Sequence, residues 1–203
     1  IKARGGEWLI RIEDTDRPRI QAGATQQIID TLAAFGLESD RLIVYQQDRL
    51  DLYEQALARL AAQQHTYACG CTRKLLQGQQ PYLGTCREVH LDPVGHAIRL
   101  KVPDEKRCFT DRIQAQQCEN LQHSIGDFVL KRRDGIISYQ LAVVVDDAAQ
   151  GVTDVIRGAD LLDNTLRQIW LGQCLGLPTL RYAHVPLAMN TTGQKLSKQN
   201  LAQ

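Results

Sequence analysis

Three cysteines lie within one short segment of the chain, at a spacing that is typical of a metal site. Cys69 and Cys71 are separated by a single glycine, and Cys86 follows after a loop-like stretch. Structural zinc is usually held by four ligands in a tetrahedron, most often thiolates and imidazoles. The three thiols therefore predict a structural zinc site, with ordinary reduced core cysteines as the alternative. The fourth ligand stays open between water and three side chains that carry a donor atom: Tyr82, His65 and His90.

Two lysines flank a Leu-Ser pair in a glycine-led segment near the end of the printed sequence. Lys195 and Lys198 belong to GQKLSKQN, residues 193–200. Lysines on such a loop can reach phosphate groups and move with them during a reaction. A solvated basic loop is the alternative interpretation.

Polar residues also follow strand-like runs at three other places. Glu13 comes after WLIRI, Tyr139 ends a hairpin-like run, and Arg157 is near the end of VTDVIRG. Ligands of open parallel sheets bind beyond the carboxyl ends of the strands, so we expect these three side chains to share a crevice. There Arg157 would pair with a carboxylate and Glu13 with an ammonium, as an amino-acid site requires. A structural ion pair between Glu13 and an arginine is the alternative.

Strands and helices alternate in the part of the chain that must position Glu13. Hydrophobic periodicity predicts a strand at 8–12 followed by a helix at 24–35, and then a strand at 42–45 followed by a helix at 48–64. This order implies a parallel sheet with crossover helices, and hence an α/β fold.

The later part of the chain carries further strand and helix signals. A hairpin is predicted at 128–139 around Asp134-Gly135, and strands at 152–158 and 182–189. A helix is predicted from Asp163 or Asn164 to Leu175. Residues 141–147 fit either a buried strand or a buried helix.

Composition narrows the class of protein. The 203 residues are 43% hydrophobic and 23% charged, as in globular domains, and the net charge of +1 gives no overall attraction to nucleic acid or membrane. No apolar run approaches the ~20 residues of a membrane span, and no secretory signal is present, so we expect a cytoplasmic protein without a membrane partner. We therefore expect no disulfide framework, and small core or surface roles for the remaining cysteines: Cys108, Cys118 and Cys174.

Four motifs, taken in their order and spacing, resemble one family. RIEDTD (11–16), LAVVVDD (141–147), VTDVIRGADLL (152–162) and KLSK (195–198) are similar to the catalytic domain of class I glutamyl-tRNA synthetases, and the resemblance covers essentially the whole chain. It implies a Rossmann-like parallel-sheet domain with an inserted zinc-binding subdomain. It also implies an ATP-dependent ligase that forms glutamyl-adenylate, with Mg²⁺ accompanying ATP.

The resemblance assigns a role to each candidate site residue. The zinc ligands become Cys69, Cys71, Tyr82 and Cys86. L-glutamate would be bound by Glu13, Tyr139 and Arg157. ATP would be bound by Lys195, Ser197 and Lys198, and the two lysines count as catalytic because they would neutralise the pyrophosphate leaving group.

The resemblance also divides the chain into three regions. Residues 1–65 would be one Rossmann-like half, residues 66–122 the inserted subdomain with the zinc site, and residues 123–203 the second half, which ends at the KLSK loop. The family's first strand and its HIGH-like ATP motif would precede Ile1, because none of the five histidines lies in such a motif. We therefore expect the N-terminal part of the domain to lie outside this chain, and expect the isolated chain to form no adenylate.

Details of the motifs are closer to a shortened, tRNA-modifying branch of the family. KLSKQN, the hairpin KRRDGIISYQLAVVVDD and the tyrosine in the cysteine cluster all fit that branch. It implies transfer of glutamate to queuosine in the anticodon of tRNA(Asp), and we expect a monomer with queuosine-bearing tRNA(Asp) as partner. Two alternatives are a catalytic-domain fragment that charges the tRNA 3′ end and a zinc-stapled RNA-binding module without catalysis. Basic residues expected near RNA are Arg73, Lys74, Arg87, Lys131, Arg132 and Arg133, with a solvated charged face as the alternative.

Overall fold

A computed structural model of the protein describes residues 5–16, 18, 20–72, 74–78, 81–190, 193, 195 and 196. Within these residues, none of the helices combines the length and the apolar character needed to cross a membrane. Ser197 and Lys198, two of the predicted ATP-binding residues, lie outside the described residues, as does Arg73.

The N-terminal region forms a strand–helix–strand–helix unit. It consists of β1 (Arg11–Ile12), α1 (Ala24–Ala34), β2 (Val44–Tyr45) and α2 (Leu50–Ala62). β1 and β2 are short, and they pair in parallel with Arg11 opposite Val44. The predicted parallel crossover is therefore confirmed, and it places Glu13 directly after the carboxyl end of β1.

A second sheet is antiparallel and carries the cysteine segment at one end. Its strands are β3 (Thr66–Cys69), β4 (Ala97–Leu100) and β7 (Phe128–Lys131), in the order β3-β4-β7. Cys69 is the last residue of β3, so the metal-type cluster begins where this strand ends.

A third sheet holds the strands that position Arg157. Its order is β6-β5-β9-β8, formed by β5 (Lys106–Asp111), β6 (Ala115–Asn120), β8 (Asp154–Gly158) and β9 (Arg181–Val185). β8 and β9 run in parallel, and β5 joins β9 in parallel where Asp111 lies opposite Tyr182. A strand from the region predicted as an insert thus shares a sheet with strands of the predicted second half, and the three-region division stays a prediction.

Two helices, α3 (Tyr139–Ala149) and α4 (Thr165–Cys174), pack against each other and complete the main core. This core joins α2, β4, β7, α3 and α4, and its fully buried members include Tyr53, Leu60, Leu100, Leu130, Leu141 and Leu171. Full burial of a large apolar side chain stabilises a fold by about 1.5–3 kcal/mol. The helices that bear site residues are therefore fixed by the same core as the sheets.

The position of Tyr139 differs from the prediction. The Ser138 side chain accepts a hydrogen bond from the Leu141 N–H and caps α3, so Tyr139 is the first helical residue rather than the end of a hairpin strand. The run 141–147 is helical, and the hairpin is reduced to one bridge between Lys131 and Ile137. The apolar run did not distinguish a buried strand from a buried helix, and the serine cap decides for the helix.

The expectation for Cys108 and Cys118 is wrong. β5 and β6 form a hairpin in which these two cysteines lie directly opposite each other, and their sulfurs are joined in a disulfide. The expectation rested on the compartment alone, whereas the register of the hairpin brings the two thiols together. Cys174 is a buried free cysteine, as predicted.

Candidate active site and metal cluster

Arg157 lies near the carboxyl end of β8, and buried neighbours fix its guanidinium. Nε donates to His184 Nε2 at 3.0 Å, and Nη1 donates to Gln168 Oε1 at 2.8 Å. Nη2 donates to Thr165 Oγ1 at 2.9 Å and to the Leu161 carbonyl at 3.3 Å. A cation held by this many short contacts is oriented before any ligand arrives.

The hydroxyl of Tyr139 is influenced by the charges of the other two predicted glutamate-binding residues. Burial raises the pKa of Tyr139, the charge of Arg157 lowers it, and the charges of Glu13 and Asp147 raise it further. These charges act on one hydroxyl from the residue after β1, from β8 and from α3. The charges of Glu13 and Arg157 therefore both reach the Tyr139 hydroxyl, while the binding role of the three residues stays a prediction.

Glu13 also makes the ion pair that was the alternative interpretation of this residue. Its carboxylate lies 3.4 Å from Arg11 Nη2, and the Glu13 side chain is 42% exposed. Exposed pairs of this kind contribute at most about 1 kcal/mol. Arg11 makes shorter bonds through Nη1, at 2.8 Å to both Asp147 Oδ1 and Gln150 Oε1. Glu13 is therefore accessible to a ligand at little cost in stability.

Asp146 is a buried anchor for this region that the sequence reasoning missed. Its side chain is fully buried and accepts hydrogen bonds from Gln46 Nε2, Arg49 Nε and Tyr53 OH at 2.7–2.8 Å. These bonds tie α3 to the segment that follows β2. The sequence did contain a signal for this anchor, namely two consecutive aspartates at the end of an apolar run. Aspartates are seldom buried unless they are paired, so an aspartate in a buried segment indicates buried partners.

Lys195 places the start of the KLSK segment next to β8. Its ammonium pairs with Asp160, which follows the end of β8, and the hydrogen bond from Lys195 is the main cause that lowers the pKa of Asp160. The backbone of Lys195 also forms an isolated antiparallel β-bridge with Met189. The Leu196 N–H donates to the Ala188 carbonyl at 2.9 Å. The predicted phosphate-binding lysine thus pairs with a residue that directly follows β8, the strand that carries Arg157.

The cysteine cluster is assembled as predicted. The sulfurs of Cys69, Cys71 and Cys86 lie within 4.8 Å of one another. The Tyr82 hydroxyl lies 3.4 Å from Cys69 Sγ and 3.5 Å from Cys71 Sγ. Among the described residues, this metal-type group consists of the three cysteines, and neither His65 nor His90 belongs to it. The convergence of three thiols and a phenol oxygen fits a tetrahedral zinc site.

The cluster also favours a thiolate. Burial raises the pKa of Cys86, but hydrogen bonds from Tyr82, the Gly70 backbone and the other two thiols outweigh it and bring the pKa to about 7. Zinc binds the deprotonated form of cysteine, so the environment of Cys86 suits a metal ligand, whereas burial raises the pKa of the neighbouring Cys71.

The chain matches the family described as tRNA synthetases class I (E and Q), catalytic domain, over residues 1–203. It belongs to this family. The predicted α/β catalytic domain and the predicted class of enzyme, an ATP-dependent ligase, are thereby confirmed.

Relatives within the synthetase family agree with this assignment. The glutamyl-Q tRNA(Asp) synthetase of Acinetobacter baylyi is 61% identical over 201 residues, which cover 99% of this chain and 69% of the relative. The protein of the same name from Pseudomonas putida strain GB-1 is 49% identical, and the match covers 97% of this chain and 67% of the relative. The crystal structure of glutamate-tRNA synthetase from Elizabethkingia anophelis superposes with a TM-score of 0.85 at 25% identity, over 98% of this chain and 47% of that chain. The chain thus spans about half of the solved synthetase.

A basic groove lies beside the metal cluster of this synthetase domain. It has a volume of about 1000 Å³ and runs between α2, β3, the segment 87–96 and the turn 131–135. Several of the predicted RNA-contacting residues are engaged within the protein. Lys131 donates to Glu54, Arg132 pairs with Asp16 and Asp134, and Arg133 donates to the Gly70 carbonyl. Their role toward RNA stays a prediction.

Proposed function

We propose that the full protein activates L-glutamate with ATP and transfers it to queuosine in the anticodon of tRNA(Asp). One observation carries the amino-acid part of the proposal: the opposite charges of Glu13 and Arg157 both act on the Tyr139 hydroxyl, and Arg157 lies near the carboxyl end of β8. The names of the relatives carry the acceptor part, because the matched proteins are called glutamyl-Q tRNA(Asp) synthetases.

Glutamate would be held by charge complementarity. Arg157 pairs with a carboxylate of the substrate, Glu13 pairs with its ammonium, and the Tyr139 hydroxyl supplies a hydrogen bond. Because protein contacts already fix Arg157, its orientation costs little entropy when the substrate binds. An opposite charge at each end of the crevice favours an amino acid over a simple dicarboxylate.

Activation joins the glutamate carboxylate to the α-phosphorus of ATP, and pyrophosphate leaves. The protein contributes mainly by positioning the two substrates and by stabilising charge. Lys195, Ser197 and Lys198 would contact the phosphates, and Lys195 would exchange its bond with Asp160 for one with the leaving group. Mg²⁺ bound with ATP supplies further neutralisation of the phosphate charge.

Zinc would have a structural role in this protein. Cys69, Cys71, Cys86 and Tyr82 would hold the ion, closing the loop that follows β3. The cluster begins at the end of β3, which belongs to a different sheet from the strand that carries Arg157, so we assign zinc to shaping the domain and not to adenylate formation. We further propose that the enzyme works in the cytoplasm as a monomer.

Glutamate-dependent exchange of pyrophosphate into ATP by the full protein tests the activation step. We expect exchange with L-glutamate and at least about 10-fold less with L-glutamine, because the neutral side-chain amide of glutamine cannot form the ion pair that we propose between the glutamate side-chain carboxylate and Arg157. Tyr139→Phe should raise the KM for glutamate and leave the KM for ATP unchanged. Exchange that is equal for both amino acids, or absent with either, would contradict the proposal.

A further inference from the structure

A chain of hydrogen bonds connects Arg157 to a buried histidine and, through it, to a buried aspartate. Arg157 Nε donates to His184 Nε2 at 3.0 Å, and His184 Nδ1 lies 2.6 Å from Asp111 Oδ2. The side chains of His184 and Asp111 are both fully buried. Asp111 belongs to β5 and His184 to β9, so this line of contacts crosses from the region predicted as an insert to the strand beside Arg157.

The guanidinium of Arg157 determines which nitrogen of His184 carries the proton. Arginine Nε can only donate, so His184 Nε2 accepts from it. Thr165 Oγ1 lies 3.2 Å from the same nitrogen, and because it accepts from Arg157 Nη2 it can donate its own hydroxyl proton to Nε2. The proton of a neutral imidazole then resides on Nδ1, from which it is donated to Asp111. A proton on Nε2 would instead set two N–H donors against each other across 3.0 Å, and an imidazolium would add a second positive charge beside the guanidinium.

Asp111 is itself held as a carboxylate. Burial would raise the pKa of Asp111, but hydrogen bonds from the Gln114 N–H, from His184 and from the Ile113 N–H hold it well below its usual range. The backbone N–H groups of Ile113 and Gln114 donate to Oδ1 at 2.9 and 2.8 Å. Oδ1 therefore serves the turn after β5 and also accepts from the His184 backbone N–H at 3.1 Å, whereas Oδ2 faces the imidazole.

We propose that Asp111 and His184 are positioning residues for the amino-acid site: the carboxylate selects the His184 tautomer, and the imidazole in turn holds the Arg157 guanidinium toward the substrate. Neither residue touches the substrate. The inference rests on the proposed role of Arg157 in recognising a carboxylate of glutamate.

Asn and Gln at position 184 separate the two functions of the imidazole. The Asn amide matches the Nδ1 position and can still donate to Asp111, but it presents no acceptor to Arg157. The Gln carbonyl matches the Nε2 position and can still accept from Arg157. Asp111→Asn keeps an acceptor for the backbone of Ile113 and Gln114, but its amide would donate to Nδ1, so the imidazole proton would move to Nε2 against Arg157.

The tautomer can be measured without any assay of activity. Two-dimensional ¹⁵N–¹H spectra of the histidine-labelled full protein distinguish Nδ1–H, Nε2–H and imidazolium, and His184→Gln identifies the signal among the five histidines. We expect Nδ1–H in the native protein and Nε2–H in Asp111→Asn. A native Nε2–H or imidazolium form near neutral pH would overturn the proposal.

Steady-state exchange kinetics then connect the tautomer to the substrate. Loss of a hydrogen bond to a charged group corresponds to about 10- to 100-fold in affinity. We expect Asp111→Asn and His184→Asn to raise the KM for glutamate by about this factor with an unchanged KM for ATP, and His184→Gln to raise it less. The matched control is His123→Gln, because His123 forms an exposed pair with Asp104 and should leave both constants unchanged.

The outcomes of the two measurements separate the two proposals. If the full protein activates no glutamate, the proposed function fails, while the tautomer spectra still decide the state of His184. If glutamate is activated but Asp111→Asn and His184→Asn change only the thermal midpoint and leave the KM for glutamate unchanged, the positioning role is overturned.

Discussion

Gly126 lies directly against the backbone of Tyr82. A Cβ atom at position 126 would stand 2.6 Å from the Tyr82 carbonyl oxygen and 2.7 Å from its nitrogen, and Gly126 has a φ of +65°. The next residue, Asp127, donates its N–H to the same Tyr82 carbonyl at 2.8 Å. The turn before β7 is therefore seated against the backbone of Tyr82, the residue whose phenol belongs to the metal cluster, at a position that admits only glycine.

Replacing Gly126 by alanine should displace Tyr82 from the cluster. We expect Gly126→Ala to lower the free energy of unfolding by about 1–3 kcal/mol more than Gly135→Ala, because overpacking adds to the backbone strain. Gly135 is a matched control, since it has a φ of +84° and nothing within 4 Å of its added Cβ. Urea unfolding of the two variants measures the difference, and equal destabilisation would contradict the close contact.

The oxygen of Tyr82 should contribute to zinc binding. Tyr82→Phe keeps the ring in its buried place, where Arg99 Cζ lies 4.2 Å from the ring centroid, but removes the fourth donor. We expect the native protein to bind one zinc ion per chain. We expect the variant to bind zinc at least about 10-fold more weakly, which is a typical loss of affinity when a group that supports a metal is removed. Competition with a chromogenic chelator gives the affinities. Cys174→Ala, which removes a free cysteine outside the cluster, should leave them unchanged, and an unchanged affinity in Tyr82→Phe would exclude its oxygen as a ligand.

Asp127 should be a main support of the metal cluster. Its carboxylate accepts from Tyr67 OH at 2.6 Å, from Arg87 Nε at 2.7 Å and from the Val102 N–H at 2.8 Å. Because the Asp127 side chain is fully buried, we expect Asp127→Asn to lower the free energy of unfolding by about 1.5–3 kcal/mol.

An exposed aspartate provides the comparison for Asp127. The side chain of Asp104 is 60% exposed and pairs with His123 at 3.5 Å. Asp104→Asn should therefore change the stability by less than about 1 kcal/mol. Chemical denaturation of both variants under the same conditions measures this contrast. Similar effects of the two substitutions would show that the Asp127 network contributes little.

Asp111 should make stability depend on pH in the acid range. Its pKa in the folded protein is well below the usual value of about 4, so its stabilising contribution is complete above that value and is lost as the pH falls below it. We expect the difference in free energy of unfolding between native protein and Asp111→Asn to be largest near neutral pH and to shrink below about pH 4. Urea titrations at several pH values test the trend, and a difference that grows toward acid would contradict it.

Local sequence patterns predicted the elements whose signals lie within one segment. The β1–α1–β2–α2 order, the strand that carries Arg157 and the C-x-C start of the metal cluster all depend on neighbouring residues. Tyr139 was misplaced because its apolar run fits a strand or a helix equally well, and the cap at Ser138 decides between them. Local patterns carry no information about which strands become neighbours.

The contacts that organise the candidate site are long-range, which is why sequence reasoning missed them. Asp111 and His184 are separated by 73 residues, and Asp146 lies 100 residues from Gln46. Asp111 belongs to a segment with weak periodicity, and only the pairing of β5 with β9 brings it to His184. Buried polar pairs of this kind become visible once the sheet order is known.

The transfer step tests the central claim most directly. The full protein would be incubated with ATP, labelled glutamate and one of three purified RNAs: tRNA(Asp) with queuosine, tRNA(Asp) without it, or tRNA(Glu). We predict that label enters only the queuosine-bearing tRNA(Asp). Equal labelling of both forms of tRNA(Asp), or labelling of tRNA(Glu), would contradict the account.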